Sequence, residues 1–451
     1  MKGMSRRTFL RSTGAGAAGV VVGRAALTAA SAEKVKGANE RINIAMVGCG
    51  GRGRYVMWGM IENKANLMYL CDLHPERLKS SWGFLGKAQK TQPKFVGEMR
   101  EVFDDKDVHA VVVATPDHWH APASILACQA GKDVYVEKPH SHNIWESAQM
   151  VKAARKHRRI LQVGTQNRSG PYNLKALEYV KSGKLGKVCF VQVYNMKSGG
   201  PFRFGPPGTC PKGFPWDTWV GKSPARPYHG GIFHGGWHQL WDFSGGDMAD
   251  DGIHQLDLAL MLMGDPPPPR SVRGLGARIC HKGDDSQRPD VQSCSWDFGS
   301  FIMTLDLTGY PRYMLKTAGT IRRNDVLPYW THNATRIELY GSEMMMTIGR
   351  HGGGWIVQQS GGKVVEKVYG RPCDDPHYKN FLECIRTRKL PNADIAVAHK
   401  SIVTLHMGNI AHRVGNVALN YDAETGTFDN PDANKLIKGE YRKGFDIPED
   451  V

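Results

Sequence analysis

The chain has 451 residues, of which 41% are hydrophobic and 23% charged, and its formal net charge is +16. This length suits two domains, and the composition is that of an ordinary globular protein. No apolar run is long enough to span a bilayer, and no nucleic-acid-binding motif accompanies the basic residues, which we interpret mostly as solvated surface. Nine scattered cysteines without a C-x-x-C spacing argue against a disulfide framework.

The N-terminal segment has the features of an export signal. Ser5–Arg11 resembles a bacterial twin-arginine signal, a stretch rich in Gly, Ala and Val follows, and Ala30-Ser31-Ala32 fits a small-x-small cleavage site. We therefore predict a twin-arginine signal peptide over residues 1–32. The mature protein is then expected to be periplasmic or otherwise exported.

A nucleotide-binding pattern follows the first buried strand. Ile42–Val47 leads directly into Gly48-Cys49-Gly50-Gly51-Arg52-Gly53 and then into a helical segment. In such a loop the first glycine allows the tight turn, the second lets the backbone approach a pyrophosphate, and the third lets helix and strand pack closely. The free N–H groups at the helix N-terminus favour an anion. The loop, including Gly51 and Arg52, is therefore predicted to bind a dinucleotide.

The second strand, Asn66 to Cys71, ends at Asp72, which lies 24 residues after Gly48. A carboxylate at this spacing binds ribose hydroxyls and favours NAD over NADP. Arg77 is close enough in sequence to keep NADP as a possible cofactor. A turn residue or a helix cap is the alternative interpretation of Asp72.

Later strands also end in polar residues. The strand His109–Ala114 runs into Thr115-Pro116-x-x-x-His120, and another ends in Glu137-Lys138-Pro139. In an open parallel sheet, ligands bind at the carboxyl ends of the strands. We therefore predict that Lys138 transfers a proton beside a bound nicotinamide. Burial and the positive charge of the ring are both expected to lower the pKa of Lys138 towards neutrality.

Helices alternate with these strands, which predicts a doubly wound parallel sheet. The helices are expected over 122–130 and 144–157, and a further strand, Ile160–Val163, precedes Gln166 and Arg168.

The order of these motifs resembles the Gfo/Idh/MocA family of glucose–fructose oxidoreductase, inositol dehydrogenase and rhizopine catabolism proteins, over about residues 40–416. The resemblance implies a Rossmann-type α/β domain over 38–168 that binds NAD(P). It also implies an α+β substrate and oligomerisation domain over 169–451 with a large, mainly antiparallel open-faced sheet, and by analogy a homodimer or homotetramer. The cofactor-binding residues that it implies beyond the glycine loop and Asp72 are Thr115, Pro116, His120, Glu137, Lys138 and Gln166.

The second half of the chain alternates polar and apolar residues in short runs, as an antiparallel sheet requires. Helices are expected over 174–182, 378–388 and 399–414. The predicted strands are Val188–Asn195, Ser271–Cys280, Val291–Phe298, Phe301–Leu307, Met314–Thr320, Arg336–Tyr340, Met344–Ile348 and Trp355–Gln359.

The long irregular segment 199–238 is rich in Gly, Pro and aromatic residues. Long loops of this kind usually serve a site, and flat aromatic rings beside polar groups suit the face and hydroxyl rim of a sugar. We predict substrate contacts from Tyr228, Trp237 and His238, together with Arg168. The alternative is a structural loop held in place by its tryptophans.

Asp250 and His254 are four residues apart on a predicted helix and would share one face. A carboxylate there can orient an imidazole that handles a substrate proton. The family places an Asp-x-Gly-x-His element here, matched by Asp250, Gly252 and His254. The alternative is a solvated face or a helix cap, and Asp251 leaves open which aspartate faces the site. No histidine spacing resembles a zinc motif, so no metal is expected.

The sequence thus predicts an exported oxidoreductase that transfers hydride between a tightly held NAD(P) and a sugar, sugar derivative or polyol. Lys138, Asp250 and His254 are the expected catalytic residues. A second hypothesis is a redox-neutral glycosidase or lyase, in which transient oxidation of a sugar carbon permits β-elimination before the hydride returns. A third is a non-catalytic sugar- or cofactor-binding protein.

Overall fold

The computed structural model describes residues 41–447 and 449–451, so the export signal predicted over 1–32 lies outside the described residues. The described chain forms a six-stranded sheet followed by a ten-stranded sheet. Across the same residues, every helix is too short or too polar to cross a membrane.

The first sheet is parallel throughout, with strand order β3-β2-β1-β4-β5-β6, as the sequence predicted. β4 and β5 are buried at every position, because helices cover both faces of a doubly wound sheet. The strands are β1 Asn43–Val47, β2 Asn66–Cys71, β3 Lys94–Val96, β4 Ala110–Val113, β5 Asp133–Val136 and β6 Leu161–Val163.

The helices between these strands place the loops of the site. The helix expected over 122–130 begins five residues earlier, at Asp117, with Pro122 inside it. The helices are α1 Gly51–Glu62, α2 Pro75–Leu85, α3 Met99–Asp104, α4 Asp117–Gln129 and α5 Ile144–Lys156.

The second sheet has the order β14-β13-β12-β11-β7-β10-β9-β8-β15-β16 and is antiparallel except between β7 and β10. The predicted fold class is therefore confirmed. Its strands are β7 Val188–Met196, β8 Ser271–Ala277, β9 Val291–Asp297, β10 Ile302–Thr308, β11 Arg336–Gly341, β12 Met345–Gly349, β13 Trp355–Gln358, β14 Val364–Val368, β15 Ala418–Asp422 and β16 Thr427–Phe428.

One predicted strand, Met314–Thr320, is wrong. Its only ladder contact is a single bridge between Leu315 and Asn333, and a short helix begins at Gly319. Pro311 and Gly319 flank the segment, and Met314 and Leu315 line a cavity instead of pairing in the sheet.

The later helices pack under the second sheet or return to the first. Phe381 on α11 lies 5.7 Å, between ring centroids, from Tyr135 on β5. Ile395 and Ala398 on α12 join the core of the first sheet. The predicted domain of residues 169–451 therefore also covers one side of the nucleotide-binding sheet. These helices are α6 Pro171–Lys181, α7 Trp216–Val220, α8 Gly230–Phe233, α9 Ile253–Leu262, α10 Gly319–Arg323, α11 Asp374–Thr387, α12 Ile395–Arg413 and α13 Pro431–Lys438.

Candidate active site

The glycine loop between β1 and α1 has the geometry that a nucleotide requires. Gly48 has φ +93°, and a Cβ there would lie 2.6 Å from the carbonyl carbon of Ala114. A Cβ on Gly53 would lie 2.3 Å from the Gly48 carbonyl oxygen, so this position joins helix and strand. By contrast, a Cβ on Gly50 or Gly51 would meet nothing within 4 Å. These two glycines leave open the space that a pyrophosphate would occupy at the start of α1.

The loop opens onto a cleft of about 720 Å³ at the carboxyl edge of the first sheet. Asp72 lines one end of this cleft, and its two carboxylate oxygens accept hydrogen bonds from the backbone N–H groups of Cys49 at 2.8 Å and His74 at 2.9 Å. These bonds hold the carboxylate beside the glycine loop, where a ribose hydroxyl would bind. Open glycines, a helix N-terminus and a fixed carboxylate together fit a dinucleotide cofactor.

The residues predicted around the cofactor mostly line the same cleft. Thr115, Pro116, His120, Glu137 and Arg52 are all among its walls. The buried Glu137 carboxylate accepts from Arg52 Nε at 2.9 Å. The Nδ1 of His120 donates to the Pro139 carbonyl at 2.6 Å, which secures the segment that carries Lys138.

The structure does not bring Gln166 or Arg168 to the cleft. The Gln166 amide donates to the buried Tyr135 hydroxyl at 3.1 Å, behind the sheet edge. The guanidinium of Arg168 is 2% exposed and forms ion pairs with Asp257 and Asp265, both at 2.8 Å. Two carboxylates thus occupy the Arg168 donors, so this arginine stabilises the interior and is not available to a substrate.

Lys138 follows β5 and forms the central ion pair of the site. Its Nζ donates to Asp250 Oδ1 at 3.0 Å and also to the Asp250 carbonyl oxygen. Burial alone would lower the pKa of Lys138, but the carboxylates of Asp250 and Glu137 outweigh burial and raise it. The lowered pKa that the sequence predicts for Lys138 is therefore wrong. The main counter-charge, Asp250, lies 112 residues further along the chain, so the sequence alone did not reveal this ion pair.

Asp250 lies on a π-helical turn, Met248–Gly252, that runs directly into α9. Burial would raise the pKa of Asp250, but Lys138 and His238 lower it below its ordinary value, so Asp250 is a carboxylate. The neighbouring Asp251 is buried and pairs instead with Lys316 at 2.8 Å and Lys197 at 3.4 Å. Asp250 is therefore the aspartate that faces the cleft.

His254 does not take the partner that its spacing suggested. It is 5% exposed, and its Nδ1 is buried without a hydrogen-bond partner among the described residues. Burial, followed by the nearby charges of Arg350 and Lys138, lowers the pKa of His254, which is neutral. Asp250 binds Lys138 rather than this imidazole, since the π-helical turn interrupts the regular i, i+4 spacing.

The aromatic segment 199–238 reaches over the cleft from the second half of the chain. Trp237 and His238 line the cleft with their rings stacked at 3.5 Å between centroids. Tyr228 does not reach it and packs edge-on against Trp216 at 5.1 Å. Phe233 belongs to the same segment, which we call the aromatic cover, and the Arg77 guanidinium lies 4.1 Å from the centre of its ring. The aromatic cover therefore also contacts a side chain that lines the Asp72 end of the cleft.

A second cavity, of about 490 Å³, adjoins the cofactor cleft, and Asp250 lines both. Its charged groups are largely paired with one another: Asp247 binds Arg288 and lies 3.7 Å from Lys197. Phe202 and Met314 add apolar surface. Alternating donors, acceptors and small apolar patches suit a polyhydroxylated molecule.

Asp117 is a cleft residue that the sequence interpretation missed. It lines the cleft at the start of α4, one residue after Pro116, and is 3% exposed. A carboxyl group directly after the Thr-Pro pair, at the carboxyl end of a buried strand, was the signal available. Within the described residues, no group of three or more His, Cys, Asp and Glu side chains is arranged to hold a metal ion.

Comparison with known proteins finds relatives among sugar-active enzymes. An alpha-N-acetylgalactosaminidase of Shewanella oneidensis is 26% identical over 206 residues, 42% of this chain and 45% of the relative. A levoglucosan dehydrogenase of Pseudarthrobacter phenanthrenivorans is 34% identical over 91 residues, 20% of this chain and 23% of the relative. The chain thus spans less than half the length of these curated relatives.

Among solved structures, the WlbA dehydrogenase of Bordetella pertussis in complex with NADH and UDP-GlcNAcA is similar in fold. It is 20% identical, with a TM-score of 0.61, over 85% of this chain and 99% of that one. A profile described as "Oxidoreductase family, NAD-binding Rossmann fold" matches residues 42–165, and one described as "Oxidoreductase family, C-terminal alpha/beta domain" matches 199–274 and 358–447. The chain therefore belongs to the Gfo/Idh/MocA family of oxidoreductases and carries its NAD-binding Rossmann domain.

Proposed function

We propose that this protein transfers hydride between NAD and a carbinol carbon of a sugar, sugar derivative or polyol. One observation carries the proposal: Asp250 lines both the NAD cleft and the second cavity, and it binds Lys138. A proton-handling pair therefore lies where a cofactor in one space would meet a substrate in the other.

NAD supplies a two-electron acceptor and donor at this junction, and the protein supplies position and charge. The Gly48 loop and Asp72 would hold the nucleotide. The Lys138 ammonium would bind the reacting hydroxyl oxygen and exchange its proton. Asp250 fixes the direction of the Nζ, and His254, neutral and coupled to Lys138, is a second candidate for holding a proton.

The second cavity supports a carbohydrate substrate. Its paired charges, such as Asp247 with Arg288, leave no large uncompensated field, whereas many oxygen and nitrogen atoms remain to bind hydroxyls. The levoglucosan dehydrogenase among the relatives is consistent with this class. Trp237 and His238 belong to the wall of the cofactor cleft, so we propose that they meet the sugar where it approaches the cofactor.

The test begins with mass spectrometry of the nucleotide released from the purified protein. A panel of sugars and polyols then follows, with absorbance recording reduction of the bound cofactor. Release of NAD and reduction by at least one sugar support the proposal. A protein that binds NAD and sugar but never exchanges hydride would instead be a non-catalytic binding protein.

Redox-neutral cleavage of a glycoside is the second candidate, and the similarity to an alpha-N-acetylgalactosaminidase favours it. The aromatic cover, with Phe233 packed on Arg77, suits a cofactor that stays bound through a cycle and is restored within it. Aryl glycosides in deuterated water separate the candidates. Cleavage with deuterium incorporated beside the oxidised carbon, and no net NADH, indicates the lyase or glycosidase reaction.

We further propose that the protein is exported by the twin-arginine route, on the evidence of Ser5–Arg11. Replacing Arg6 and Arg7 by Lys is expected to leave active precursor in the cytoplasm, whereas normal delivery of this double variant would overturn the assignment. A homodimer or homotetramer remains a proposal by family analogy, which light scattering can test.

A further inference from the structure

The Lys138 end of the cleft holds a third carboxyl group besides those of Asp250 and Glu137. Asp117 is the first residue of α4 and lines the cleft, and its Oδ2 is buried without a hydrogen-bond partner among the described residues. Burying a carboxyl group without compensating hydrogen bonds is costly for its charged form. The fold keeps this group in the cleft although neither nucleotide binding nor the Lys138–Asp250 pair uses it.

The charged surroundings of Asp117 explain its state. The ammonium of Lys138 forms its hydrogen bonds with Asp250, so two carboxyl groups compete for one cation and Asp250 has it. Burial, together with the Asp250 carboxylate, raises the pKa of Asp117 to about 8, although the Ser244 hydroxyl and Lys138 act to lower it. His118 and His120, on the same helix, are neutral because burial lowers the pKa of each. At neutral pH Asp117 is therefore a carboxylic acid beside the Asp250 carboxylate and the Lys138 ammonium.

The strand order places Asp117 at the nicotinamide half of the cleft. β1 carries the pyrophosphate loop, and β2, with Asp72, lies on one side of it. β4 and β5, which lead to Asp117 and Lys138, lie on the other side. A dinucleotide that has its pyrophosphate at the loop and a ribose at Asp72 extends its other half towards these residues.

We infer that Asp117 changes its protonation with the redox state of the cofactor, as a carboxylate beside oxidised nicotinamide and a neutral acid beside reduced nicotinamide. This inference rests on the proposed function. A positive charge a few ångströms away lowers a carboxyl pKa by roughly one to three units, which is enough to ionise Asp117 near pH 7. The charge of the oxidised ring is thereby balanced.

The proton balance of sugar oxidation then closes within the site. The C–H bond of the carbinol breaks, and its hydrogen and electron pair are transferred together to the nicotinamide as hydride. The proton of the O–H group must then be taken up. Lys138 passes one of its own protons to the Asp117 carboxylate, and the amine that this leaves takes up the hydroxyl proton. Before the step the ring is positive and Asp117 negative; after it both are neutral, and Lys138 remains an ammonium bound to Asp250. This relay explains how a lysine with a raised pKa can serve oxidation.

The test measures protons on cofactor binding, which requires no substrate. Protein stripped of nucleotide is titrated with NAD⁺ and with NADH at pH 7, by calorimetry in buffers of different ionisation enthalpy. We expect NAD⁺ to release close to one proton and NADH to release none. If NAD⁺ releases no proton from the wild-type protein, the inference is overturned, whether or not any variant folds.

The variant Asp117→Asn assigns the proton. In the wild-type protein the ratio of NAD⁺ to NADH affinity is expected to rise roughly tenfold between pH 7 and pH 9, and in the variant to stay flat. Glu62→Gln, which removes an exposed carboxylate at the end of α1 and outside the cleft lining, is the matched control and is expected to behave as wild type. Equal proton release by Asp117→Asn and the wild type would assign the proton to another group. Failure of sugar turnover would count against the proposed function and leave these binding results intact.

Discussion

The two ends of the NAD cleft are built differently. At the nucleotide end, the Asp72 carboxylate binds the N–H groups of Cys49 and His74, the second only two residues away, and the loop glycines all lie within residues 48–53. At the chemical end, Lys138 meets Asp250 from a turn 112 residues later. Binding is therefore encoded by local motifs and proton chemistry by long-range contacts. Substitutions at the first end should change affinity and selectivity, and those at the second should change rates and pH profiles.

The largest difference between an effect on turnover and an effect on NAD binding is expected for Lys138→Ala. Loss of a positioned acid–base group reduces turnover by roughly two to four orders of magnitude. NAD should remain bound, because the Gly48 loop and Asp72 are untouched. Stopped-flow reduction of the bound cofactor by an accepted sugar measures the effect.

Lys363→Ala removes an exposed lysine and is the control for Lys138→Ala. Reduction of NAD at the wild-type rate in Lys138→Ala would show that this lysine is structural.

The double variant of Lys138→Ala with His254→Ala should lose less turnover than the product of the two single losses, since both groups are electrostatically coupled at one site.

The same contrast explains what could be predicted from sequence. The six-stranded sheet and its glycine loop depend on local patterns, such as the buried run of β4 and the positive φ of Gly48. Arg168 was misassigned because its partners, Asp257 and Asp265, lie 89 and 97 residues away. The state of Lys138 was misjudged for the same reason. A π-helical turn is not visible in residue spacing, so the link expected between Asp250 and His254 was wrong.

At the nucleotide end, Asp72→Ser tests selectivity. The Asp72 carboxylate should repel a 2′-phosphate, so wild-type protein is expected to bind NAD more tightly than NADP. Removing the charge should shift the ratio of NADP to NAD affinity by roughly tenfold to a hundredfold, the usual worth of a close charge–charge contact. Calorimetric titration with both nucleotides measures it, and Glu62→Gln, outside the cleft lining, serves again as the carboxylate control. Equal or tighter binding of NADP by the wild type would contradict this role.

Asp250→Asn should move the pH profile of sugar oxidation. The Asp250 carboxylate raises the pKa of Lys138 and that of Asp117, so its removal lowers both and makes the proton-accepting form of the relay available at lower pH. The acid limb of turnover is expected to shift downwards by roughly one unit. Asp251→Asn lies one residue away but pairs with Lys316 and Lys197, so it should leave the limb in place. An unmoved limb in Asp250→Asn would show that the ion pair does not set the proton chemistry.

The smallest effect is expected for Arg442→Ala, which loosens the aromatic cover over the NAD cleft. Arg442 donates to the Gly221 carbonyl from Nε at 2.9 Å and from Nη2 at 2.8 Å, and it also pairs with Asp217. It thereby fixes α7, whose Thr218 and Trp219 line the cleft. Hydrogen bonds from charged donors contribute about 1.5–3 kcal/mol each, so Arg442→Ala should lower the free energy of unfolding by an amount of that order. NAD should dissociate faster while the pH profile stays fixed, because Lys138 and Asp250 are not disturbed. Denaturant unfolding and fluorescence-monitored NADH release measure the two effects.

The control is Arg371→Ala, which removes an exposed arginine that is paired with Asp325. If Arg442→Ala also moved the pH profile, the cover would be coupled to the proton chemistry, and the separation between the two ends of the cleft would fail.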